Sequence, residues 1–521
     1  MTTFDLQTAS VHDVQAAMDV GALSAEQLVR LLSARIDAYD RRGPAINSII
    51  TVNPGALDHA RAADIERRHS GPRSPLHGIP VVLKDNYNTA DMPTTGGSSA
   101  LADNVAPNDA FTVKRLRDAG ALIFAKANLG ELARNGTTLS SLLGQTRNPY
   151  DLTRTPGGSS GGTGAAIAAG FALIGMGTDT IQSIRSPASA NSAVGLRPTF
   201  GLISREGIIP WSYTQDTAGP ITRCVADAAI MTDYMAGFDH QDPATWHGIG
   251  RAPETYTAFL DKRGLAAARL GVVTNLFGDG SHVDHAVVNA QTMKCIEAMR
   301  ALGATAIELD IPEVSAALSE PTLLEVLELE VKWTFDRYLA GLGPGARYHT
   351  LAEYVAAAAD TLPSTYESLK LGLEKGDLMG RDPEYIARLR RQVAFRDALI
   401  AVMDRHGLDA LFYAHQRRLV VPASAEAVQL ERNGFMASST GLPAITLPGG
   451  FSSPTDSAPI GVPIGVEFLG RPFSEARLFK LAYAFEQDTR LRRLPASTPA
   501  LPGERFEYRC ADASQAATRP L

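Results

Sequence analysis

Cysteine is scarce: Cys224, Cys295 and Cys510 are the only three in 521 residues. They are too few and too scattered for a disulfide framework or a thiolate zinc site, and the sequence calls for no metal and no cofactor. Long apolar runs are also missing. The most apolar long stretch, residues 165–176, is too short and too rich in glycine to cross a bilayer as a helix. The opening MTTFDLQTASVHDVQ has neither the basic start nor the apolar middle of a secretory signal, so the expectation is a cytoplasmic protein. Positive charge is in deficit, with a formal net charge of −7. That removes the electrostatic footprint of a nucleic-acid or anionic-membrane binder. Internal repeats and low-complexity segments are absent too. The 11 histidines show no triad spacing.

What remains is an ordinary globular composition, 45% hydrophobic and 20% charged, with enough apolar residues for a large core. Its least ordinary stretch is residues 155–187, TPGGSSGGTGAAIAAGFALIGMGTDTIQSIRSP. Gly157-Gly158-Ser159-Ser160-Gly161-Gly162 frees the backbone for positive φ and for close approach of other atoms. Residues 163–169 then read as a buried small-residue helix. Residues 171–176 read as a central strand that delivers Thr178-Asp179-Thr180-Ile181-Gln182-Ser183-Ile184-Arg185 to the next turn. In α/β proteins, strand ends are where chemistry is placed.

Ser159 and Ser183 stand in two loops joined by a helix and a strand that can fold back, so they can meet. A serine hydroxyl needs a base to become a useful nucleophile, and neither loop contains histidine. Lysine is the next candidate. His77-Gly78-Ile79-Pro80-Val81-Val82-Leu83-Lys84-Asp85 is a β-rich apolar run ending in one. If Lys84 is desolvated there, its pKa falls toward the range of a working base. Taken alone, Lys84 reads as a surface lysine at a strand end; the two serine loops reverse that reading. Lys126 is a rival base, better read as a structural ion pair, and the Gly96-Gly97-Ser98-Ser99 cluster reads as a turn without chemistry.

At these residues the chain resembles the amidase signature family. Gly78 to Asp85 is similar to that family's G-I-P-x-x-x-K-D, Pro156 to Gly162 to its P-G-G-S-S-G-G, and Gly177 to Arg185 to its G-T-D-x-G-G-S-I-R. The resemblance continues through Gly195-Leu196-Arg197-Pro198-Thr199, Gln215-Asp216-Thr217-Ala218-Gly219-Pro220, Gly441-Leu442-Pro443-Ala444 and residues 463–470. It implies an α/β fold with a large mixed β-sheet covered on both faces by helices. Residues 1–495 would form one domain, with a signature core near 75–225, a variable and substrate-shaping section near 236–430, and a loosely docked or disordered tail over 496–521.

The resemblance further implies Lys84 as catalytic lysine, Ser159 as bridging serine on a cis peptide and Ser183 as nucleophile. Backbone N–H groups of Thr180, Ile181, Gln182 and Ser183 would form the oxyanion hole, with Ser160, Thr178, Asp179 and Arg185 in support. Asp179 and Arg185 could pair across the turn and hold its shape. The expected reaction is hydrolysis of a small-molecule amide, with a homodimer as the possible assembly and no nucleic-acid or membrane partner. Alternatives are an amidotransferase component, an esterase or urethane hydrolase, and a catalytically impaired relative. The last arises because Ile181-Gln182 stands where the family usually has Gly-Gly; a β-branched residue would be strained there if the turn needed positive φ. Otherwise the larger side chains reshape the acyl pocket, and Gln182 could turn its amide toward the substrate.

Around this core, Ser24-Ala25-Glu26-Gln27 has the capping-box pattern ahead of a helix carrying Leu28, Leu31, Leu32, Ile36 and Tyr39. Residues 56–68 predict a surface helix, 111–119 a helix and 121–125 a strand. Further on, 270–275, 304–309, 409–413, 444–447 and 464–468 predict strands. Helices are expected over 286–302, 326–340, 383–406 and 475–487. The aromatic residues Trp333, Phe335, Tyr338, Tyr354 and Tyr366 fit either a lid or plain core packing.

Overall fold

The computed structural model describes residues 1–320, 324–358, 361–376 and 379–509; Cys510 and the rest of the tail lie outside the described residues. The Ser24 hydroxyl accepts from the Gln27 N–H while the Gln27 side chain returns to the Ser24 N–H. This reciprocal cap starts the helix Ala25–Arg35 where the sequence places it.

An 11-stranded mixed sheet forms the centre. From edge to edge its strands are Thr305–Leu309, Arg269–Val273, Ala410–Ala414, Pro463–Leu469, Ala444–Phe451, Val194–Arg197, Thr217–Thr222, Ile174–Asp179, Pro80–Lys84, Leu122–Ala127 and Ile49–Val52. Side chains on a strand alternate between the two faces of a sheet. Every residue of Pro80–Lys84, Leu122–Ala127, Ile174–Asp179, Val194–Arg197 and Thr217–Thr222 is buried, so both faces are covered.

The strand expected from residue 171 begins at Ile174 and runs on to Asp179, because antiparallel pairing with Thr217–Thr222 continues to the pair Asp179 and Thr217. On its other side it runs parallel to Pro80–Lys84, with Leu83 opposite Met176. The helix Gly161–Ala169 is buried at every residue. A Cβ at Gly175 would lie 2.6 Å from Thr163 Cγ2, which is why this strand and helix can lie so close. The polar stretch between the long helices Leu327–Gly341 and Pro383–Arg405 holds two more, Leu351–Ala357 and Pro363–Lys375.

Residues 496–509 are not loosely docked. Arg35 and Glu504 form an ion pair at 2.7 Å with almost no exposure, the Gln7 amide donates to the Thr498 carbonyl, and Thr2–Asp5 pairs antiparallel with Arg505–Tyr508. Of the cysteines, Cys224 and Cys295 are free thiols. No described helix is long and apolar enough to cross a membrane.

Candidate active site

Two neighbouring parallel strands supply the central pair of elements. Lys84 ends one, and the other passes through Thr178 and Asp179 into the turn that carries Ser183. Lys84 is fully buried. Its Nζ lies 2.8 Å from Ser159 Oγ and 2.7 Å from Thr178 Oγ1, and the Asn86 amide also donates to Thr178 Oγ1 at 3.0 Å. Burial, the largest influence, pulls the Lys84 amine down to about 7 against the opposing effect of Asp179 and Asp216. Desolvation disfavours the ammonium, so near neutrality a substantial fraction is free amine.

The peptide bond between Gly158 and Ser159 is cis. The Ser160 N–H donates to the Ser183 carbonyl at 3.2 Å, which joins the two serine loops directly. Ser160 Oγ donates to the Thr178 carbonyl and accepts from the Thr178 N–H, at 3.2 and 3.3 Å. Ser160 and Thr178 thus tie the glycine-serine loop to the strand.

The turn itself is free of the strain that Ile181 raised as a possibility. Neither Ile181 nor Gln182 has a positive φ. None of the N–H groups of Thr180, Ile181, Gln182 and Ser183 donates to a protein acceptor among the described residues, so the turn presents unused donors. Its outer face is fixed by a buried charge network. Arg185 Nε pairs with Asp179 Oδ2 at 3.0 Å, and its Nη2 donates to the Ile181 carbonyl at 2.7 Å. The Ile184 N–H donates to Asp179 Oδ2 at 3.1 Å, and Thr180 Oγ1 donates to Asp216 at 2.6 Å.

Three members of that network are given no role by the sequence pattern, although Arg197 and Glu467 fall within stretches that carry the family resemblance. Arg197 reaches Asp179 Oδ1 at 2.7 Å, Glu467 reaches Arg185 at 3.2 Å, and the His415 ring bonds Glu467 in turn. All five side chains are fully buried. Burial would raise the Asp179 carboxyl, but Arg185 and Arg197 overcome it and hold the group well below the carboxylate range. Glu467 is likewise drawn to about 2, burial being outweighed by Arg185 and His415. Two of them also show as charge inside otherwise apolar strands: Arg197 ends Val194–Arg197 and Glu467 interrupts Pro463–Leu469.

The two lysines separate cleanly. Lys126 pairs with Asp85 at 2.7 Å, both fully buried, so it is the structural ion pair that the sequence suggested. Gln182 does not face a substrate: its carboxamide meets the guanidinium of Arg432.

A cavity of about 550 Å³ opens beside the turn, with Thr178, Thr180, Trp211, Tyr213, Trp333 and Tyr338 among its lining. Trp333 and Tyr338 come from the helix Leu327–Gly341, in the section expected to shape the substrate entrance. Phe335 and Tyr354 belong to a hydrophobic core cluster, with Tyr366 packed against it. Glu330 of the same helix accepts from the Thr214 and Tyr385 hydroxyls, each at 2.8 Å, and from the hydroxyl of Ser212, a lining residue, and so ties the helical section to the cavity wall.

Comparison with known proteins bears on family and fold. A family model described as Amidase matches residues 27–479. A probable amidase of Arabidopsis thaliana is 33% identical, covering 95% of this chain and 92% of its own. A glutamyl-tRNA(Gln) amidotransferase subunit of Moorella thermoacetica is also 33% identical, over 94% and 98%. The crystal structure of a peptide amidase from Stenotrophomonas maltophilia superposes with a TM-score of 0.84 at 37% identity, over 94% of this chain and 98% of that one.

Proposed function

Because this chain belongs to the amidase family, we propose that it hydrolyses the carbon–nitrogen bond of a small-molecule linear amide through an acyl-enzyme on Ser183. The observation that carries this reading is the buried Lys84 amine, lowered to about 7 and 2.8 Å from Ser159 Oγ. In this mechanism neutral Lys84 takes the Ser159 proton as Ser159 takes that of Ser183. Ser183 Oγ attacks the amide carbon, and the carbonyl oxygen becomes an oxyanion beside the free N–H groups of the turn. Each donor aimed at that oxygen contributes ~3 kcal/mol. The relay then returns its proton to the leaving nitrogen, the carbon–nitrogen bond breaks, and water admitted to the same base releases the carboxylate.

A second reading has specific support. Relatives named as glutamyl-tRNA(Gln) amidotransferase subunits match over nearly their full length, and a protein of that kind would use the same relay to free ammonia within a complex. The higher identity to the peptide amidase structure, 37%, favours the hydrolase.

One experiment tests the proposal. A fluorophosphonate probe, followed by intact mass and peptide mapping, is applied to the wild type, Ser183→Ala and Lys84→Ala. Each protein is also given aryl, alkyl and peptide amides and glutamine. We expect labelling at Ser183 and amide turnover in the wild type, both lost by ~1,000-fold or more in the two variants. A folded wild type that neither labels nor hydrolyses any amide would sink the reading. Turnover confined to glutamine would favour the amidotransferase reading.

A further inference from the structure

The departure at Ile181-Gln182 is answered by a residue far away in sequence. The Gln182 carboxamide oxygen, oriented by this contact, lies 2.6 Å from Arg432 Nε and 3.0 Å from each Nη. Near-equal distances to all three nitrogens of a planar fork place the oxygen over the guanidinium face, so the fork rests against the amide as a plate. The Nη1 edge of the same guanidinium lies against Gly136, where a Cβ would overlap Nη1. Gly136 in turn backs the cis peptide: a Cβ at Gly158 would lie 2.8 Å from the Gly136 carbonyl carbon. Arg432 therefore spans the space between the Ser183 turn and the Ser159 loop.

The segment that carries Arg432 is anchored on both sides. Glu431 meets His285 Nε2 at 2.5 Å, and the Gly434 carbonyl accepts from Arg185 Nη2 at 2.9 Å. Gly434 is also pressed against the turn, since a Cβ there would lie 2.5 Å from Gln182 Cβ and 3.1 Å from the Ile181 carbonyl oxygen. Burial, partly offset by Glu325 and Asp179, pulls Arg432 down to about 10, which leaves it cationic at neutral pH.

We propose that Arg432 is a positioning residue of this active site: acting through Gln182, it fixes the backbone of the Ser183 turn and sets its N–H groups against the Ser159 loop. The inference rests on the hydrolytic reading above and deepens it. A pair of glycines at these positions would leave the turn to its own backbone preferences; here two side chains from distant parts of the chain hold it. Displacing catalytic groups by ~1 Å costs ~100-fold in rate, so a loosened turn should lower the rate of attack and leave binding nearly unchanged.

The test is the concentration dependence of fluorophosphonate labelling for the wild type, Arg432→Ala, Arg432→Gln, Gln182→Ala and the double variant Arg432→Ala/Gln182→Ala, with thermal unfolding in parallel. Each single variant should label about tenfold more slowly at saturating probe, with the half-saturating concentration within about twofold of wild type. Because the residues act as one unit, the double variant should be no slower than the slower single. Arg432→Gln serves if Arg432→Ala does not fold. Wild-type labelling that is undiminished in the Arg432 variants, or rate losses that multiply in the double variant, would overturn this inference and leave the hydrolytic reading standing. A wild type that does not label would remove both.

Discussion

The strands around Lys84 and Ser183 and the helices over the cavity solve opposite problems. In the first region, charged and hydroxyl groups are fully buried and held from several elements at once: Asp179 alone is met by Arg185, Arg197 and the Ile184 N–H. In the second, Leu327–Gly341 presents alternating roles along one helix. Phe335 and Leu339 face a core, while Trp333 and Tyr338 line the cavity. A group held by many partners cannot move without leaving a buried charge unpaired, whereas an aromatic side chain on a cavity wall can change shape at the cost of its own contacts. The first region is therefore built to hold one geometry, and the second is suited to shape what enters the cavity.

Breaking the first region should have the larger effect. Asp179→Ala leaves Arg185 and Arg197 buried without their shared carboxylate, a loss of ~3–5 kcal/mol when one partner of a buried pair is removed. Chemical denaturation should show that loss, and turnover by the protein that remains folded should fall ~100-fold as the turn loosens. A variant with wild-type stability would mean that the network is dispensable.

The pH profile sharpens the same contrast more gently. In the proposed relay Lys84 serves as the base only when neutral, and its amine is lowered to about 7. Activity should fall about tenfold per unit as pH drops below about 7 and level off above it. The stability sign is separate. The folded pKa lies below that of an exposed lysine, so the unfolded chain binds more protons between the two values, and the cost of burying Lys84 shrinks as pH rises through that window. A rate that stays flat from pH 5 to 8 would exclude Lys84 as base.

The smallest effect should come from the cavity. Trp333→Ala removes a ring that stacks edge-on against Tyr213 at 5.2 Å. It should raise KM for bulky amides by about three- to tenfold and leave kcat within about twofold, since ground-state contacts are lost uniformly. A drop in kcat alone would place this helix in the chemistry.

The same division explains what the sequence could tell. Lys84, Ser159 and Ser183 stand out as candidates because tight loops and strand ends demand particular residues at fixed spacing, and the capped helix Ala25–Arg35 is legible for the same local reason. The partners Arg197, His415, Arg432 and Glu467 are not, because each is brought in by sheet order or by a distant loop. The strand that begins at Ile174 starts later than its apolar run for a similar cause: its limits follow from pairing with Thr217–Thr222, while residues 171–173 are apolar only because they are buried. Aromatic residues divide between core and cavity in a way that composition cannot resolve.

Lys84 and Thr178 sit on adjacent parallel strands. The strands are paired in register from Val81 and Ile174 to Leu83 and Met176, so the spacing of the two chains that carry these residues is the sheet's own, ~4.8 Å between neighbours. In mechanical terms the site borrows its stiffness: a force that would part Lys84 from Thr178 must stretch a row of backbone hydrogen bonds in parallel, so two light side chains behave as if mounted on one rigid beam.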